Sequence, residues 1–100
     1  MTVKTVPFDA AEFLDTEESQ QELIADAMQT GDRAYILNAL NTVARARGMS
    51  AVAEQAGVTR DTLYKALSES GDPKLSTVLG LIKALGFSLS ATPSPKKALT

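Results

Sequence analysis

Four side chains with four different functional groups fall close together past the middle of the chain: Arg60, Asp61, Tyr64 and Lys65. On a helix these positions share one side, because residues three and four apart are neighbours on its surface. A guanidinium, a carboxylate, a phenol and an ammonium in that arrangement suit a nucleic-acid surface. Arginine can pair with guanine O6 and N7, and the other groups can set register on phosphates or accept from a base edge. Two hydroxyl residues, Thr59 and Ser50, stand at the expected starts of the flanking helices and complete the candidate set. The chain has no histidine and no cysteine. That removes the commonest general base, the usual metal ligand, thiolate sites and the Ser/His and Cys/His nucleophile pairs. No remaining constellation invites catalysis, so neither an enzyme nor a cofactor or metal is expected.

The elements that must hold these groups lie within residues 50–67, SAVAEQAGVTRDTLYKAL. A first helix is expected over 50–56 with Ser50 as N-cap, and a second over 60–67 capped by the Thr59 hydroxyl. Gly57 sits where the chain must turn sharply and tolerates a positive φ. Val52, Ala53, Ala56, Val58, Leu63 and Leu67 are placed to meet along one seam, and the small Ala53 lets the second helix approach closely. This is the spacing of a DNA-binding helix-turn-helix, with residues 60–67 as the recognition helix. Spacing alone also permits an ordinary helical hairpin with a solvated polar face.

Around this motif the pattern is helical. Residues 3–6 alternate weakly and read as a short strand, and Asp9 is placed to cap a helical turn, with Phe8 and Phe13 as packing anchors. A helix over 16–30 has Leu23, Ile24, Ala27 and Met28 as its apolar stripe and Glu18, Glu22 and Asp26 on its wet side. Gly31 and Asp32 form a stop-start signal for a helix over 33–47, with a stripe of Ile36, Leu37, Leu40, Val43 and Ala44. Arg45 and Arg47, in its last turn, suit either the negative helix end or a DNA backbone. After a turn cluster at 68–73, a last helix is expected over 74–85, with Leu75, Val78, Leu79, Ile82 and Leu85 inward. Residues 87–91 alternate with a strand-like period of two, a lone strand that invites pairing with residues 3–6, across a dimer or with a partner protein. The fold class is therefore all-α: about five helices, a central helix-turn-helix and short terminal strands. Within one compact domain, 1–32 forms an acidic arm and helix, 33–91 the helix-turn-helix region and 92–100 a flexible tail.

The net charge of −2 hides an asymmetry. Residues 1–32 carry one basic and eight acidic side chains, net −7, whereas 33–100 carry nine basic and four acidic, net +5. Two surfaces of opposite sign suit two different partners. No apolar run is long enough to span a membrane, no secretory signal is recognisable, and the absence of cysteine fits a cytoplasmic protein.

Residues 44–89, ARARGMSAVAEQAGVTRDTLYKALSESGDPKLSTVLGLIKALGFSL, resemble the Xre/Cro-type helix-turn-helix domains. More specifically they are similar to the HigA-like antidote proteins of bacterial addiction modules. The FDAAEFLD opening at 8–15, the ARARGMS entry, the LYKALS helix, and the pieces Thr77-Val78-Leu79 and Lys83-Ala84-Leu85-Gly86-Phe87 carry that likeness, which spans about residues 8–90. The resemblance implies a lambda-repressor-like fold and a type II antitoxin that neutralises a cognate RelE-fold toxin. It also implies binding to its own operator, double-stranded DNA, as a homodimer that represses the pair. By position, Arg60 would read guanine, Thr59, Tyr64 and Lys65 would set register on phosphates, and Ser50 would offer helix-start amides to a phosphate. Asp61 would accept from cytosine N4 or stabilise its own helix start. Alternatives are a repressor without a toxin partner and a protein-interaction module that has lost DNA binding. If the acidic part meets a basic toxin, removing residues 1–31 should abolish toxin binding and leave operator binding intact, as a pull-down and a gel shift on the same protein would read.

Overall fold

A computed structural model describes residues 16–68 and 70–93, and each helix in it starts and stops on a local chemical signal. Helix α1 (Glu17–Thr30) opens on Thr16, whose hydroxyl accepts from the Ser19 amide at 3.1 Å. Glu17 and Glu18 fall in its first turn, beside the positive end of the helix dipole. It closes at Gly31, and Asp32 at once caps α2 (Arg33–Arg47), its carboxylate accepting from the Ala34 amide at 3.1 Å. Helix α3 (Met49–Ala56) follows after a single residue, and α4 (Arg60–Ala66) after Gly57, Val58 and Thr59. Helix α5 (Leu75–Ala84) completes an all-helical architecture of five helices with no strand among the described residues. No helix of the described residues is long and apolar enough to cross a membrane.

The core is one cluster threaded through all five helices. Helix α2 lays Leu37, Leu40, Val43 and Ala44 along its centre, and α1 packs on α2 through Ile24 and Ala27. Helix α3 packs on α2, α4 and α5, and its Val52 and Ala53 join Leu63, Leu67, Leu81, Ile82 and Leu85 in the same cluster. The amide of the buried Gln20 accepts a 2.7 Å hydrogen bond from Arg47 Nε, which satisfies a polar group that would otherwise be costly so far from water.

Three expectations from the sequence need correction. Ser50 is not the N-cap of α3. Gly48, at φ 105° and ψ 108°, starts the helix one residue earlier, and Val52 N–H bonds to the Gly48 carbonyl at 3.1 Å. Ser50 is therefore the second helical residue and exposed, and α3 has no side-chain cap. In α5, Leu75 is 68 % exposed and Leu79 46 %, while Leu81 joins Ile82 and Leu85 inside. That helix is apolar on most of its circumference, so its periodicity fixes its existence but not its rotation. Finally, residues 87–91 are irregular rather than strand. The chain passes through Gly86 at φ 84°, and Phe87 N–H turns back to the Ile82 carbonyl at 3.0 Å, a helix-terminating bond that spends the donor a strand would need. The expected strand at 3–6 and the turn at Asp9 lie outside the described residues, as does the tail beyond Pro93.

Leu63 is wholly buried and is the deepest anchor of α4. Leu63→Ala should lower the unfolding free energy by about 2–5 kcal/mol, as expected for a buried leucine that leaves a cavity. Urea denaturation followed by circular dichroism would measure it.

Candidate nucleic-acid interface

The hairpin of α3 and α4 is held by backbone geometry at Gly57. This residue sits at φ 80°, ψ 24°, and Val58 N–H bonds to the Ala53 carbonyl at 3.0 Å while Gly57 N–H bonds to that of Glu54 at 3.2 Å. The two bonds satisfy two of the last four carbonyls of α3 and turn the chain at Gly57. A side chain at this φ would be strained, although nothing nearby would touch it. Thr59 then starts α4, its hydroxyl oxygen accepting from Thr62 N–H at 3.0 Å and donating to Thr62 Oγ1 at 2.8 Å. The expected cap at Thr59 is where the sequence places it.

With Leu63 and Leu67 turned inward, the opposite side of α4 is set by helical geometry. Thr59, Arg60, Asp61, Tyr64 and Lys65 are all exposed, and so is Ser50 on α3. Tyr64 is 62 % exposed, high for an aromatic ring with an apolar body. Asp61 and Lys65 pair at 3.3 Å across one helical turn, the only ion pair among the described residues. Both groups are about three-quarters exposed, so the pair adds at most about 0.5 kcal/mol and breaks readily for another partner. Arg60 has no ion-pair partner among the described residues. In the first turn of α3, the Met49, Ser50 and Ala51 amides have no intrahelical acceptor, a consequence of helix geometry rather than of the Ser50 side chain.

The two arginines ending α2 separate in role. Arg45 is exposed, while Arg47 is half-buried, hydrogen-bonded to Gln20, with its guanidinium carbon 5.5 Å from the centre of the Phe87 ring. Its charge is spent inside the fold on an amide and a ring face. No spacing rule announced that pairing, since Gln20, Arg47 and Phe87 come from distant parts of the chain.

Sequence reasoning also missed the brace behind α4. Gly71 lies against the end of that helix so closely that a Cβ would stand 2.2 Å from the Ala66 carbonyl oxygen and 2.6 Å from that of Lys65. Its own carbonyl accepts from Arg33 Nη1 at the start of α2. Gly71 N–H bonds to the Ser68 carbonyl at 2.9 Å. The loop leaving α4 is thereby tied to α2, which fixes where the exposed face points. The dipeptide Ser70-Gly71 announces a turn, but nothing local announces a contact with Arg33.

A family model described as "Probable addiction module antidote protein" matches residues 4–93 of this chain. With nearly its whole length covered, the chain belongs to that family. It is also 42 % identical over 94 residues to an uncharacterised protein of Haemophilus influenzae, an alignment that covers 94 % of this chain and 97 % of that one. No solved structure matches the chain.

Gly71→Ala should destabilise the fold by about 1–3 kcal/mol, because the added methyl meets backbone rather than a movable side chain. Thr59→Ala should cost about 1 kcal/mol through the lost cap. Thermal melts of the two variants would check the order.

Proposed function

We propose that this chain is a DNA-binding antitoxin of a type II module, neutralising a cognate toxin and repressing its own operon. The antidote family implies a toxin partner, and the resemblance to HigA-like proteins favours a RelE-fold toxin and a cytoplasmic, non-enzymatic homodimer. The observation that carries the DNA half is the exposed side of α4. A short helix, braced at both ends by Gly57 and Gly71, presents Arg60, Tyr64 and Lys65 outward and nothing apolar beyond the tyrosine ring.

In this reading α3 and α4 form an Xre/Cro-type helix-turn-helix with α4 in the major groove. Arg60, in the first turn, is the base reader. Tyr64 and Lys65 follow on the same side and meet phosphates, joined by the Thr59 hydroxyl. Ser50 contributes through the amides of the first turn of α3. Asp61 exchanges Lys65 for cytosine N4 or keeps it as a screen for its own helix start. Two such units about 34–36 Å apart would read the half-sites of a palindrome.

One observation favours a different reading. The Asp61–Lys65 pair cancels a charge on a face that already has few, and the chain is net negative. That combination suits a protein-binding surface that has lost its DNA. Fluorescence anisotropy with DNA from upstream of the gene, beside a scrambled duplex and over a range of salt, separates the two. The antitoxin reading expects a preference for native DNA on the order of a thousandfold. No binding to either duplex at low salt would overturn the DNA half and leave Arg60, Tyr64 and Lys65 facing protein.

Within that assay Arg60→Ala should cost about 1–3 kcal/mol on the native duplex and little on the scrambled one. Lys65→Ala should weaken both alike and lower the salt slope by about one.

A further inference from the structure

Away from α4, a long cleft runs between α1 and the segment that follows α5. Its larger part, about 490 Å3, is lined by Ile24, Ala25 and Met28 on one wall, Phe87 and Leu89 on the other, and Ile82 at the base. A second part of about 400 Å3 continues it toward the start of α1 and shares Gln21, Phe87 and Ser88 with the first. This end is lined by Glu17 and Glu18, and a Glu17 carboxylate oxygen lies 3.9 Å from where a Cβ on Gly86 would stand. Neither glutamate makes an ion pair among the described residues. The cleft exists because residues 87–93 run beside α1 without pairing as a strand, and they leave Leu89 43 % exposed.

We propose that this cleft is where the antidote holds its toxin, receiving an apolar side chain carried on a segment flanked by lysine or arginine. The proposal rests on the antidote reading of the family and adds the surface and the chemistry of its occupant. Charge decides among the candidates. The chain's own residues 1–15 carry one basic and three acidic groups, so folding them into the cleft would set like charges beside Glu17 and Glu18. A second copy meeting the first through α1 would do the same. A basic partner segment satisfies both ends at once: its apolar side chain covers Ile24, Met28 and Leu89, and its cation meets carboxylates that have no ion-pair partner among the described residues. The Arg47 guanidinium does not serve them, being committed to Gln20 and the Phe87 ring.

Deleting residues 1–31 is a blunt test, because α1 supplies Ile24 and Ala27 to the core. Substitutions on its exposed side are sharper. The probe is the protein encoded by the reading frame adjoining this gene, purified and titrated calorimetrically against the full chain. Ala25→Arg, which fills the cleft, and the double change Glu17→Lys with Glu18→Lys should each weaken binding by about tenfold or more, the latter most strongly at low salt. Arg60→Ala should leave it unchanged; circular dichroism melts of Arg60→Ala and Ala25→Arg should match the parent, and the double change should lower the melting temperature only by the loss of two carboxylates at a helix start. Truncation after Pro93 should also leave affinity unchanged. A rise in affinity on truncation would mean that the chain's own basic tail competes with the toxin for the cleft, and would support the proposal. Equal binding by parent and cleft variants would overturn it while sparing the antidote reading. No binding by the parent would overturn that reading, and the cleft proposal with it.

Discussion

The seating of Leu63 is the constraint on which the rest depends. Helix α4 has only seven residues and one wholly buried side chain, with Leu67 just past its end closing the same contact. Burying a leucine contributes about 1.5–3 kcal/mol, several times what the exposed Asp61–Lys65 pair can add. Packing, not surface charge, therefore sets the rotation of α4. Once Leu63 points in, Arg60, Asp61, Tyr64 and Lys65 have no other place to be than outside. The Gly57 turn and the Gly71 brace then fix the tilt, one by satisfying the end of α3 and the other by lying against the end of α4.

Charge is organised on top of that packing. The basic groups of α2 are divided between inside and outside, with Arg47 folded onto Gln20 and Phe87 and Arg45 left in water. Through Arg47 the acidic helix α1 and the segment after α5 are held by one side chain. The two walls of the cleft thus share one support. The acidic side chains of α1 stay outward and make no ion pair among the described residues, so both signs remain on the surface there.

Much of this was legible in the sequence because it is written in adjacent residues. Asp32 and Thr59 cap the helices they were expected to cap, Gly31 and Gly57 end them, and the stripes of α1 and α2 face inward. What failed was decided at a distance or by degeneracy. The rotation of α5 was ambiguous because leucines surround it. The cap at Ser50 lost to a glycine whose dihedrals no side chain announces. The alternation at 87–91 looked like a strand until the Phe87 amide was taken by Ile82. For the candidate interface, the exposed groups were readable one by one, but the Arg33 contact that orients their helix joins residues far apart in the chain.

The brevity of α3 and α4, eight and seven residues, has a thermodynamic consequence. Isolated helices of that length are unstable in water, because nucleation outweighs the few bonds that follow. The exposed face of α4 therefore exists only while the core is closed, and its loss is part of global unfolding rather than a separate local event. Any ligand that binds the folded chain at any site stabilises it by RT ln(1 + [L]/Kd), and so raises the population of every other site. Two partners on separate faces would then support one another through the folding equilibrium alone, with no movement of one helix against another.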